Sequence, residues 1–347
     1  MKINALLSDY DGTLCACSVN TQDNTIPERL NDVLFDISEK IPVCILSSKD
    51  FGFLHKRIKF ANILSCILGI ETLHLKKHLN AKMMTMKNAE TTTASTIITD
   101  CNNFSCIADH RILVDDRILQ HNSRILDCLA NDILLNFKDV SIERKYISNN
   151  ETLAGITIDW RHLQDWESFK TRSEPLLKKA IEKQQKLSFN GNTLYTQTYA
   201  THPFIDVYAA KCDKGMAFDS IASEISYVKG KGQRIMYLGD SENDNPAFRR
   251  ADLSIGVLSD DRLNPKLDCD YTVSFDNLSI FLKKLLDNDL VFSDDLLPAY
   301  QKLNPKKALP DGYFLTDKNI PVISAATDGI MLSRQVIIEE HKIDKKR

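Results

Sequence analysis

No run in this chain approaches the roughly 18 consecutive apolar residues that a membrane-spanning helix needs, so no membrane partner is expected. Charge of neither sign dominates. Lys plus Arg number 44 against 47 Asp plus Glu, a net charge of −3, and no basic stripe carries interleaved aromatics. That excludes the electrostatic footprint of a nucleic-acid binder. The N-terminus lacks a basic region, a long apolar core and a small-residue cleavage site, which argues against secretion and for a cytoplasmic protein. Cysteines number nine, an odd count scattered through 347 residues, so a disulfide scaffold is not expected. Cys15-x-Cys17 and Cys101-x₄-Cys106 are soft-metal spacings, but no His or Cys pair completes a zinc site beside either. What remains, 43% hydrophobic and 26% charged, is an ordinary globular composition with length enough for two domains.

The chain is organised around a stretch near its start. An apolar run from Ile3 reads as a short buried strand. It stops at Asp9-Tyr10-Asp11-Gly12, where the glycine lets the backbone turn. Side chains alternate along a strand, so Asp9 and Asp11 are expected on one side of its carboxyl end. That end of an open α/β sheet is where ligands bind. Two carboxylates meeting there repel unless a cation relieves them, and magnesium, a hard oxygen-seeking ion, is the economical choice.

A helix follows, with Leu30, Val33, Leu34 and Ile37 on one face, then a second apolar strand from Ile41 to Leu46 that ends in Ser47-Ser48-Lys49. Strand, helix and strand in that order predict a right-handed parallel crossover, which puts Ser47 at the same sheet edge as Asp9. Residues 50–61 read as a helix, and Ile63 to Ile70 as another strand leading to Gly69-Ile70-Glu71. The stretch 80–110, with its run Thr91 to Thr96, gives no clear pattern. Ile118 to Leu135 and Trp166 to Gln185 read as helices. Val140 to Lys145 and Leu153 to Trp160 alternate like antiparallel strands about a turn at Ser148-Asn149-Asn150. Leu187 to Phe189, Thr193 to Gln197 and Phe204 to Tyr208 add further short strands. A strand-rich α+β module therefore interrupts an α/β domain. The chain then returns with Lys214-Gly215-Met216-Ala217 opening a helix. A strand follows, running into Gly239-Asp240-Ser241-Glu242-Asn243-Asp244-Asn245-Pro246.

These strings resemble, in order, the four motifs of the haloacid dehalogenase superfamily of phosphohydrolases. Asp9-x-Asp11-Gly-Thr-Leu is similar to the first, Ser47 to the second, Lys214-Gly-x-Ala to the third and Gly-Asp240-x-x-Asn243-Asp244-x-Pro to the fourth. The inserted module resembles the cap of trehalose-6-phosphate phosphatases, with Glu143-x-Lys145 on one strand, Trp160-Arg161 at the end of the next, and Asp206 on an apolar strand. The resemblance implies a Rossmann-like parallel-sheet core over 1–82 and 211–290, a cap over 83–210 that selects the substrate, and an extension over 291–347 of no assigned role.

It also implies the chemistry. Asp9 would attack phosphorus, and Asp11 would protonate the leaving oxygen and then activate water. Asp9, the Asp11 carbonyl, Asp240 and Asp244 would hold magnesium, with Asn243 in support, while Ser47 and Lys214 would grip the phosphoryl oxygens. Glu143, Lys145, Arg161 and Asp206 would meet a sugar, with Trp160 and Tyr208 as ring platforms. The expected substrate is a small sugar phosphate, trehalose-6-phosphate first. The Asn and Pro of the fourth motif look more like sucrose-phosphatase and broad sugar-phosphatase groups. Sucrose-6-phosphate, mannosyl-3-phosphoglycerate, a simple hexose phosphate or a phosphomutase reaction stand as alternatives. A non-catalytic partner of a glycosyltransferase is the alternative outside enzymes, and the extension is the expected place for an oligomer or synthase contact.

Overall fold

Apolar runs bounded by turn residues become the central strands of a sheet in the computed structural model. The structure describes residues 1–16, 25–75, 107–149, 151–187, 193–199, 202–230, 232–259, 266–297 and 300–302. β1 (Ala5–Ser8) is buried along its whole length, as expected for a parallel strand covered on both faces. Its neighbours are β2 (Val43–Leu46) and β10 (Ile235–Gly239), both parallel to it. β3 (Ile63–Cys66) extends the sheet beyond β2, and β11 (Leu253–Leu258) and β12 (Tyr271–Ser274) extend it beyond β10, all parallel.

The two faces are filled by alternate residues of the same strands. Ile3 and Leu6 join the core under α1 (Glu28–Ser38), which packs beside a late helix, Phe275–Asp287. Ala5 and Leu7 point the other way, onto a helix spanning Lys214–Lys229. Strand order reverses at β1, since the chain moves to β2 on one side and later fills β10 to β12 on the other. The carboxyl ends of β1 and β10 therefore border the crevice where open α/β sheets take ligands.

Two corrections concern domain limits. Ile107–Ile112 (β5) lies within the stretch assigned to the cap. It pairs instead with β4 (Glu71–Leu75), which is antiparallel to β3, and so forms the edge of the core sheet. Residues just past 290 likewise belong to the core. Phe292 donates its amide to the Met1 carbonyl (2.7 Å) and packs against Tyr271 and Phe281, and β13 (Tyr300–Lys302) pairs antiparallel with β12. Ile320 to Ile323 and Gln335 to Ile338 in the tail, apolar enough to be expected as strands, lie outside the described residues, as do the Thr91 to Thr96 run and Cys17, Cys101 and Cys106. Leu187 sits in the turn after its helix rather than in a strand, and 188–189 also fall outside.

The inserted module is a four-stranded antiparallel sheet ordered β6 (Ser141–Tyr146), β7 (Leu153–Asp159), β9 (Phe204–Tyr208), β8 (Tyr195–Thr198). Helices Asp116–Asn136 and Trp166–Gln185 accompany it, each with Asp as side-chain N-cap. The register sets Glu143, Thr157, Asp206 and Gln197 in one row across the sheet, and Lys145, Gly155, Tyr208 and Tyr195 in the next. These rows share one face, and that face meets the core: Glu143 contacts Lys49, and the Gln197 amide donates to the Cys212 carbonyl (3.2 Å).

Candidate active site

Asp9 follows the last residue of β1, and its amide is held by the Leu238 carbonyl of β10 (2.9 Å). Asp240 follows the last residue of β10, so neighbouring strand ends bring the two carboxylates together. Asp244 joins them because the chain turns back through a short 3₁₀ segment, Glu242–Asp244. A Cβ on Gly239 would lie 2.4 Å from the Asp244 carboxyl carbon, so only glycine fits beneath that turn. Asp9, Asp240 and Asp244 each place a carboxylate oxygen within 4.8 Å of the others, and all three are buried.

Lys214, the first residue of its helix, reaches into this group and is itself buried. Its Nζ lies 3.0 Å from Asp9 Oδ1, 2.7 Å from Asp244 Oδ1 and 2.9 Å from Asn243 Oδ1. Asp244 is saturated by donors: Tyr237 hydroxyl (2.6 Å) and Lys214 on Oδ1, and the amides of Asp240 and Ser241 (3.1 Å each) on Oδ2. It thus orients its neighbours. Thr13 Oγ1 donates to Asp240 Oδ1 at 3.1 Å.

Three buried carboxylates against one ammonium leave an excess of negative charge. Burial pushes the Asp9 carboxyl up to about 7, helped by Asp244 and opposed by Lys214. For Lys214 burial works against the charged form, but Asp244 and Asp9 outweigh it and raise its pKa. An all-oxygen, net anionic, cation-sized cluster fits a hard divalent ion such as magnesium.

Asp11 stands apart from the trio. The strand ends at Ser8 and Gly12 turns with φ +81°, so strand alternation no longer applies at Asp11. Its carboxylate faces Lys49 instead, with Nζ 3.8 Å from Oδ2. The expected convergence of the Asp9 and Asp11 side chains is thereby corrected, and the carboxylates that converge come from β1 and β10. Ser47 is buried just past β2, where its hydroxyl accepts the Lys49 amide at 3.1 Å.

Lys49 is the residue that sequence reasoning passed over. It is 5% exposed, and Glu143 of the cap chelates its Nζ at 2.8 and 2.9 Å. Burial disfavours its charge, but Glu143 and Asp11 more than compensate and raise its pKa. Burial likewise disfavours the Glu143 carboxylate, and Lys49 and Lys145 reverse that and hold it below its usual range. The available signal was position alone: a cation two residues past a strand-end serine.

The sequence profile of haloacid dehalogenase-like hydrolases matches residues 6–264. The chain belongs to that family. Comparison with curated proteins finds no match. Among solved structures, a trehalose-6-phosphate phosphatase related protein superposes with a TM-score of 0.55 at 16% identity, covering 83% of this chain and 99% of that one. The C-terminal domain of C. albicans trehalose-6-phosphate phosphatase gives 0.47 at 17%, covering 71% and 73%. A subclass IIB sugar phosphatase of the superfamily gives 0.46 at 14%, covering 83% and 100%. The first of these carries a likeness of fold.

In this hydrolase the cap residues are not solvated surface charges. Lys145 is buried and pairs with Asp206 Oδ1 at 3.1 Å, its ammonium 5.2 Å from the Tyr208 ring centroid. Thr157 hydroxyl also donates to Asp206 Oδ1, and Tyr199 hydroxyl lies 3.3 Å from Oδ2. Gly155 makes room for this row, since a Cβ there would sit 2.7 Å from the Tyr208 ring. Arg161 is drawn back by Asp159, Nε to Oδ2 2.6 Å, and its guanidinium lies over Phe204. Trp160 is fully buried and packs on Phe169 at 5.7 Å between centroids, so it is cap core rather than a platform. Tyr208 is equally enclosed. Among the described residues no helix is long and apolar enough to cross a membrane.

Proposed function

We propose that this hydrolase is a magnesium-dependent phosphatase acting on a sugar phosphate, with trehalose-6-phosphate as the first candidate. The observation that carries the reading is the division of labour among the carboxylates. Asp9 sits with Asp240, Asp244 and Lys214, while Asp11 faces the cap side through Lys49. Bound at Asp9, Asp240 and the Asp11 carbonyl, the ion would neutralise phosphoryl oxygens and lower the cost of bringing an anionic ester to an anionic carboxylate.

Asp9 then supplies the nucleophilic oxygen. Its bond to phosphorus forms as the bond from phosphorus to the sugar oxygen breaks, leaving an aspartyl phosphate. Asp11 gives its proton to the departing oxygen. It next takes a proton from water, whose oxygen attacks phosphorus and frees phosphate, returning Asp9 and Asp11 to their starting forms. Lys214 holds Asp9 in place and offsets charge on the transferring group, and Ser47 offers a hydroxyl at the same sheet edge. The polar cap face of Glu143, Lys145 and Asp206 supports a hydroxyl-rich leaving group, and the fold likeness to a trehalose-6-phosphate phosphatase related protein puts that sugar phosphate first.

Phosphate release should be measured on trehalose-6-phosphate, sucrose-6-phosphate, glucose-6-phosphate, mannosyl-3-phosphoglycerate and 4-nitrophenyl phosphate. Preference for trehalose-6-phosphate supports the full proposal. Release from several sugars alike keeps the chemistry and removes the trehalose assignment. Release from none contradicts both.

A further inference from the structure

Glu71, the last residue of Gly69-Ile70-Glu71, is a carboxylate with no exposed surface at the start of β4. A buried carboxylate is tolerated only where donors satisfy it. Two donors do so here. The Ser148 amide, in the first turn of the cap, lies 2.8 Å from Oε1 and 3.1 Å from Oε2. His110 Nε2, on the adjacent edge strand β5, lies 2.8 Å from Oε1. Glu71 therefore ties core sheet to cap backbone. A second core carboxylate does the same nearby: Asp50 caps the helix Phe51–Arg57 through Oδ1 (2.9 Å to Phe53 N) and turns Oδ2 toward the Tyr146 amide at 3.3 Å.

Both acceptors act on the far end of one cap strand. β6 carries Glu143, then Lys145, then ends at Tyr146, with Ser148 two residues on. Backbone amides are fixed by chain geometry, so holding Tyr146 and Ser148 fixes where Glu143 projects. That projection sets the contact of Glu143 with Lys49, and through Lys49 the approach to Asp11.

We propose that Glu71, aided by Asp50, is a positioning residue that clamps strand β6 of the cap against the core and so sets specificity for the sugar leaving group. The proposal rests on the sugar-phosphatase reading above for its catalytic consequence, but the clamp itself does not depend on it. It differs from a sugar-binding role because neither carboxylate is offered to a ligand.

The test uses the full chain in three forms: Glu71→Gln, Glu71→Ala and Asp50→Asn. Asn is as good a helix cap as Asp, so Asp50→Asn keeps the helix and weakens only the tie to Tyr146. The readouts are steady-state kinetics on trehalose-6-phosphate (or the best ester of the panel) and on 4-nitrophenyl phosphate, with amide hydrogen exchange at Tyr146 and Ser148. The expected result is a fall of about tenfold to a hundredfold in kcat/KM for the sugar ester in Glu71→Ala, the range set by losing a hydrogen bond to a charged group. Glu71→Gln and Asp50→Asn should lose less, the aryl ester should be nearly unaffected, and the two amides should exchange faster. Equal losses on both esters would overturn the specificity role, as would unchanged kinetics with unchanged exchange at Ser148. Should wild type hydrolyse no ester, the phosphatase reading fails by itself. Exchange then decides the clamp: faster at Ser148 in Glu71→Ala upholds it, and unchanged overturns it.

Discussion

Lys214 shows at the scale of one residue how the centre is held. Its ammonium touches Asp9, Asp244 and Asn243 and is buried with the two carboxylates. Replacing it by Met removes the only cation touching those carboxylates among the described residues. Lys214→Met should cost about 3–5 kcal/mol of stability, the usual penalty for stranding one member of a buried pair, and abolish turnover. Chemical denaturation beside an activity assay checks both, and an unchanged midpoint would contradict the account. Asp9 makes a further prediction with a definite sign. Its folded pKa, about 7, lies above that of an ordinary aspartate near 4, so between those values the native state holds a proton that the unfolded chain has lost. Stability of the metal-free protein from this group is therefore greatest at the acid end of that window, and declines as pH rises through about 7. Magnesium, which needs the ionised carboxylate, should raise the melting temperature much more at about pH 8 than at about pH 5. Thermal scans at both pH values with and without the ion test it, and an equal gain at both would refute it.

The cap sheet argues at the scale of elements. Its polar rows face the core, and the Lys145–Asp206 pair is buried between Thr157, Tyr199 and Tyr208. Lys145→Met should destabilise the protein by about 3–5 kcal/mol, because Asp206 keeps a buried charge, and adding Asp206→Asn should recover most of it. Equal destabilisation by the single and the double variant, measured by denaturant titration, would contradict that. Elements differed in how readable they were. β1, β2 and β10 were legible because strands buried on both faces are continuous apolar runs, and the aspartates that follow β1 and β10 and the serine that follows β2 marked the site. β5 was not legible. Its Ile-Ala-Asp-His-Arg-Ile sequence is that of an edge strand with mixed polarity, held by pairing to β4 rather than by burial. Lys49 escaped for a related reason: a lone charge carries no pattern. Glu71 stood out as the end of Gly69-Ile70-Glu71 but had no role, and only packing shows that both residues are buried and bridge to the cap. Trp160 was misjudged because alternation cannot say which face of a cap sheet its helices cover.

For the whole molecule, the fold accounts for why the motifs are so far apart in sequence. Asp9 and Asp240 are separated by most of the core and all of the cap, yet β1 and β10 are neighbours with Ser8 opposite Leu238. The cap enters after the edge strand β5 and leaves before Lys214, so both its exits lie on the core that carries the charge cluster. The family membership gives the class of hydrolase, and the arrangement of Asp9, Asp11, Lys214, Asp240 and Asp244 supports phosphoryl transfer as its chemistry. The most direct measurement is phosphate release by wild type and by Asp9→Asn, each with magnesium and with excess chelator. The account predicts release by wild type only with magnesium. It predicts none by Asp9→Asn, which stays folded because an uncharged amide replaces a carboxylate that burial already disfavours. Near-normal turnover by Asp9→Asn, or full wild-type activity in chelator, would contradict it.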